Sequence, residues 1–154
     1  MKQLRAFVYT IITMFAVAGL YRCARAAEPD PPSPQQIQSL YVIAVGLSGI
    51  GVPEKPPKVY PVSPAAMCEI VGCQVKGFQA ADAVFYRDDL DFTNALDSSI
   101  LGHEFVHYLQ WNKYGRAKNA AERKQRECFA YKVQSEMLSK IGINYYIPEE
   151  FRCE

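Results

Sequence analysis

His103-Glu104-Phe105-Val106-His107 concentrates the chemistry of this chain. It holds both histidines of the sequence, four residues apart around a glutamate. On a helix, positions i and i+4 share a face one turn apart, so the two imidazoles can chelate one metal ion. Paired imidazoles suit Zn2+, and Glu104 is placed to take a proton from a metal-activated water as general base. The motif therefore predicts a zinc-dependent hydrolytic site.

Such a site takes three protein ligands and keeps a fourth position open. No third histidine exists, and cysteines engaged in bridges cannot serve, which leaves a carboxylate. In the thermolysin-like clan, whose histidine motif this one resembles, the third ligand is a glutamate on the helix after the motif, and that resemblance makes Glu122, Glu127 and Glu136 the candidates. Glu127 is favoured because it lies twenty positions beyond His107 and shares a helix face with Tyr131 and Gln134, a polar stripe that suggests a lined cleft. Glu122 lies near the start of its helix, where the helix dipole alone accounts for an acid. Glu136 lies off the stripe and needs no special role on an exposed helix.

The elements that must position these residues follow from local signals. Ser33-Pro34 reads as a helix start, a capping serine followed by a proline preset for the first turn. Residues 35–49 then carry Ile37, Leu40, Tyr41, Ala44 and Leu47 at helical spacing, a scaffold helix with one apolar face. Residues 50–57 break structure, and Lys58–Val62 reads as a short strand. Ser63-Pro64 opens a short helix to about Val71. Gln74–Phe78 and Ala83–Arg87 read as strands joined by a turn near residues 79–82. Asp88, Asp89 and Asp91 form a polar loop; a calcium site there lacks the ligand spacing of a calcium loop, so a solvated acidic loop is the better reading. Asp97 or Ser98 can cap the helix that carries the histidines to about Tyr114, with Leu101, Phe105 and Leu109 on its buried side. Ala120–Ile141 reads as a last long helix ending at Gly142, and residues 143–154 as an irregular tail. Gln110 is either a partner of a ligand histidine or a surface residue, and Gly102 either permits a close approach or is merely tolerated. Tyr108, Trp111 and Tyr114 read as packing residues.

The N-terminus points outside the cytoplasm. A basic start, an apolar run over residues 6–21 and small residues at Ala24-Arg25-Ala26 read as a signal peptide over residues 1–26, cleaved after Ala26 or Ala27. The run is shorter than the roughly 20 residues a membrane span needs, so no membrane anchor is expected after cleavage. Cys23 suggests lipoprotein processing only weakly, because Tyr21-Arg22 are bulky where small residues are wanted. Cleavage removes four basic residues and no acid, turning the formal charge of +1 slightly negative. Without basic clusters, nucleic acid is not expected as a partner. Of five cysteines, Cys68, Cys73, Cys128 and Cys153 remain, an even set that in an exported chain reads as disulfides. Cys68–Cys73 closes a short loop and Cys128–Cys153 pins the tail to a helix. A four-cysteine zinc site is the weaker reading, because the spacings do not form paired knuckles. Residues 27–34 read as an extended leader, and 35–154 as the domain.

Residues 103–110 (HEFVHYLQ) together with residues 127–134 (ECFAYKVQ) resemble small gluzincin-type metallopeptidases, bacterial families that pair the histidine motif with a downstream Glu-x-x-Ala-Tyr. The resemblance covers roughly residues 58–141. It implies a single α+β, zincin-like domain, a sheet of about three strands with a scaffold helix, an active-site helix and a glutamate helix. It also implies His103, His107 and Glu127 as metal ligands, Glu104 as base, and an edge strand, Ala83–Arg87, that pairs with an extended peptide substrate. Tyr131 is the candidate to hold a developing oxyanion. The chain lacks the Asn-Glu…Asp-type second motif of the longer thermolysin signature. The expectation is a monomeric zinc metallopeptidase, periplasmic or secreted, acting on a peptide or protein. The rivals are a binding module that keeps zinc without turnover, a hydrolase of a cell-wall amide, and a disulfide-stapled structural domain.

Overall fold

The computed structural model describes residues 29–153; the expected signal peptide lies outside the described residues. The described residues are α+β, with four helices and one three-stranded mixed sheet. Helix α1 (Pro34–Ser48) starts as its sequence requires. Ser33 accepts from the Gln36 N–H at 3.2 Å, the Gln36 side chain accepts from the Ser33 N–H at 2.8 Å, and Pro34 occupies the first turn. Gly49 ends α1 in the left-handed conformation (φ 62°). Strand β1 (Lys58–Val62) follows, then helix α2 (Pro64–Ile70), capped by Ser63.

Strands β2 (Gly77–Ala80) and β3 (Ala83–Arg87) form a hairpin, and β1 joins the other side of β3 in parallel, giving the order β1-β3-β2. Two expectations are corrected here. The strand read as Gln74–Phe78 lies further along, because the Cys68–Cys73 disulfide and a turn from Gly72 to Val75 hold the residues before Lys76 in a loop. The hairpin then needs only two connecting residues, Ala81 and Asp82, with Ala81 at φ 51°. Ala83–Arg87 is not an edge strand either. It is paired on both sides, so its backbone groups are already used within the sheet, and the edges are β1 and β2. On one face of the sheet the register aligns Tyr60, Phe85 and Phe78, whose rings stack at 5.6 and 4.7 Å.

Helix α3 (Ala95–Tyr114) starts earlier than its sequence suggests. Asn94 caps it by accepting from the Leu96 N–H at 2.9 Å. Asp97 instead lies in the first turn, where it accepts from the Asp91 N–H and pairs with Lys76. Helix α4 (Ala120–Ser139) is capped by Asn119 and stops two residues short of Ile141; the tail that follows contains a 3-10 turn, Glu149–Phe151.

The core forms where α3 is enclosed by α1, α4 and the inner face of the sheet. Leu101, Phe105 and Leu109 are fully buried, as their spacing predicts. Tyr41 and Ala44 of α1 meet them, with Ile37, Leu40 and Leu47 packed at the margin, and Val84 and Tyr86 arrive from β3. The close contact of α3 with α4 depends on Gly102, where an added Cβ would lie 2.5 Å from the Met137 methyl. Truncating the centre of this arrangement is expected to cost about 3–5 kcal/mol for Phe105→Ala, against about 1 kcal/mol for the cap deletion Ser33→Ala; urea unfolding of the purified protein checks both.

Candidate metal centre

Helical geometry and burial together create the site. His103 and His107 project from one face of α3, ring centroids 4.7 Å apart, and Glu127 faces them from the second turn of α4. The Nε2 atoms of the two rings are 3.0 Å apart, and Glu127 Oε2 lies 3.2 Å from His107 Nε2 and 3.5 Å from His103 Nε2. A tetrahedral ion with bonds of about 2.0–2.1 Å separates its ligands by about 3.3 Å. The observed triangle has that size, so three lone-pair-bearing atoms converge on one cation-sized position. Among the described residues this is the group of His, Cys, Asp or Glu side chains able to hold a metal ion. The donor set of two imidazoles and a carboxylate suits a first-row divalent cation such as zinc.

The tautomer of His107 follows from its surroundings. Gln110 is buried, and its Nε2 donates to the Arg126 carbonyl at 3.1 Å. That bond turns Gln110 Oε1 toward His107 Nδ1, 3.0 Å away. An amide oxygen only accepts, so His107 carries its proton on Nδ1 and leaves the Nε2 lone pair free for a metal. Gln110 is thus a partner of a ligand histidine, one of the two readings its position allowed, and it ties α3 to the residue preceding Glu127. His103 has no equivalent support. Its Nδ1 is buried without a hydrogen-bond partner among the described residues, and its ring packs edge-on against Tyr131, centroids 4.5 Å apart.

Charge is distributed as a cation site requires. Burial alone would raise the Glu127 carboxyl, but contact with the two imidazoles holds it well below the usual carboxylate range. Burial opposes a charged His107 ring, yet Glu127, Glu104 and Gln110 outweigh it and raise its pKa. Burial pushes the Glu104 carboxyl up; the two histidines oppose that and Glu127 adds to it. Glu104 occupies its place because Gly77 of β2 has no side chain: a Cβ there would lie 2.9 Å from Glu104 Cγ. Tyr131 has its hydroxyl pushed up to about 12, by burial first and then by Tyr145, Glu127, Glu104 and Glu150, so the phenol keeps its proton at neutral pH.

The competing ligands are engaged elsewhere. Glu122 pairs with Arg126 and accepts from the Lys118 N–H, and Glu136 pairs with Lys140. The acidic loop is likewise occupied locally, Asp89 by Arg87 and Asp91 by Thr93. The polar stripe on α4 is only half a cleft lining: Gln134 is buried between helices and donates to Ser99 Oγ at 2.9 Å. A cleft of about 520 Å³ near the C-terminal ends of α1 and α3 is lined by Gln110 and Arg126 but by none of the three ligands. The metal group opens to solvent on the Glu127 side, where that side chain is 33% exposed.

Both expected disulfides are present, Cys68–Cys73 and Cys128–Cys153, and replace the four-cysteine zinc reading. They fit an oxidising, extracellular environment. No helix among the described residues is long and apolar enough to cross a membrane. Two contributors escaped the sequence reading, Gly77 beside Glu104 and Phe151 stacked on Tyr131 at 4.6 Å. For Phe151 a signal existed: a bridge from Cys153 to the residue after Glu127 brings the tail to the site. Comparison with protein-family models, curated proteins and solved structures finds no match.

The purified protein is expected to take up one zinc ion per chain by elemental analysis. Glu127→Ala should abolish stoichiometric uptake, and Gln110→Ala should weaken zinc about 10–100-fold in competition with a chromophoric chelator.

Proposed function

We propose that the protein is an exported zinc metallopeptidase of the gluzincin type. The observation that carries this reading is the convergence of His103, His107 and Glu127 on one position with Glu104 beside them on the same buried helix. The pairing of HEFVHYLQ with ECFAYKVQ supports the family, and the two disulfides support a location outside the cytoplasm.

A zinc ion held by these ligands would supply Lewis-acid activation of a water and of a substrate carbonyl. The chain's own residues do the rest. His107 is locked in the tautomer that presents Nε2, and Glu127 brings the negative charge that a cation needs. Glu104, one residue beyond His103, accepts the proton of the attacking water and passes it to the leaving amine. Its raised pKa makes it a stronger base than an exposed glutamate, which suits both halves of that transfer. Tyr131 packs on His103 and stays protonated, able to donate to an oxyanion.

An extended peptide has a natural seat. Strand β2 is a sheet edge whose first residue, Gly77, lies against Glu104, so a chain paired along β2 passes the base. β2, not β3, therefore takes the role of substrate-pairing strand.

Zinc-loaded protein incubated with a quenched-fluorescence peptide library tests the reading. Hydrolysis by the wild type, reduced about 10²–10⁴-fold in Glu104→Gln with zinc content unchanged, is the expected outcome. Zinc uptake without cleavage of any library member would overturn the peptidase reading.

A further inference from the structure

A histidine that ligates a metal is normally held in orientation by a hydrogen bond from its other ring nitrogen. His107 has that support in Gln110, whereas the Nδ1 of His103 is buried with no partner among the described residues. An imidazole without this bond can rotate about its side-chain torsions, which costs metal affinity unless packing holds the ring. The packing is there. Tyr131 lies against the His103 ring at 4.5 Å and 64°, and Phe151 covers Tyr131 as a stacked ring at 4.6 Å and 23°.

Phe151 belongs to the tail, two residues before Cys153, and Cys153 is bonded to Cys128, the residue that follows Glu127. The covalent path and the packing path therefore close on each other. From Glu127 the chain runs through Cys128 and Cys153 to Phe151, and from Phe151 the rings run through Tyr131 back to His103. Such a crosslink removes much of the chain entropy that ordering the segment around Phe151 would otherwise cost.

We infer that the disulfide-anchored tail orients the first metal ligand: Phe151 clamps Tyr131 against His103, and the Cys128–Cys153 bond holds Phe151 in place. Phe151 is a positioning residue, acting through Tyr131, and the affinity of the centre for its metal depends on a bridge that supplies no ligand. The inference rests on the metal reading proposed above and deepens it.

The test measures zinc affinity of the full mature protein by chelator competition, with cobalt absorption as a report on ligand geometry. Phe151→Ala and the double variant Cys128→Ala/Cys153→Ala are expected to weaken zinc tenfold or more and to shift the cobalt spectrum. Phe151→Tyr, which keeps the stacked ring, should stay within twofold of the wild type, and so should Cys68→Ala/Cys73→Ala, which opens the bridge in the loop before β2 and leaves the tail anchored. Thermal unfolding of the metal-free proteins identifies the variants that remain folded at the assay temperature. Phe151→Leu, which keeps apolar bulk but loses the stacked ring, is read in the same way should Phe151→Ala not fold. A folded Phe151→Ala or Phe151→Leu with wild-type zinc affinity overturns the inference and leaves the metal centre standing. A wild-type protein that takes up no zinc overturns the metal reading and this inference with it.

Discussion

Burying two ionisable side chains on the most enclosed helix among the described residues is the constraint on which the rest of the structure depends. His103 and Glu104 are each less than a tenth exposed, on a helix whose neighbours Leu101, Phe105, Val106 and Leu109 are fully buried. A polar group taken from water without a partner costs roughly 2–7 kcal/mol, and a bare charge more. The apolar residues hold α3 at the centre, and the polar ones require something specific beside them, above all on the face that His103 shares with His107. That face receives Glu127 and Gln110's bond to the Arg126 carbonyl, both through α4.

Two glycines make this arrangement sterically feasible. Gly102 lets Met137 press onto α3, which brings α4 close enough for Glu127 to reach the imidazoles. Gly77 lets the sheet edge lie over Glu104. Neither needs an unusual backbone angle; both are places where a side chain would displace its neighbour. Glu104 is thus enclosed by strand and helix, while the His103, His107 and Glu127 group keeps a solvent-facing side at Glu127.

A domain of this size buries a limited core, and two bridges reinforce it, one of them anchored at the buried Cys128. Cys68–Cys73 constrains the loop before the hairpin. Cys128–Cys153 fastens the tail to α4 next to a ligand. Of the two bridges, only Cys128–Cys153 adjoins the His103, His107 and Glu127 group.

The local elements and the chemistry-bearing residues were readable from the sequence, because capping, helical periodicity and the i,i+4 rule act over a few residues. Ser33-Pro34 and Ser63-Pro64 mark helix starts, Leu101, Phe105 and Leu109 mark a buried face, and the spacing of His103 and His107 brings their rings together on any helix. Cysteine placement anticipated both bridges. The sequence did not set the strand order: β3 precedes α3 in the chain but lies in the middle of the sheet, since pairing with β1 is a long-range choice. Nor did it set the fate of a polar stripe, for Glu127 reaches the metal position while Gln134, two turns on, is sealed against Ser99. The His107 tautomer, the close approach of Gly77 to Glu104 and the ring that supports His103 all arise between segments distant in sequence. Only the packed tertiary structure decides these, because each depends on distances of a few ångströms across elements whose local propensities carry no information about one another.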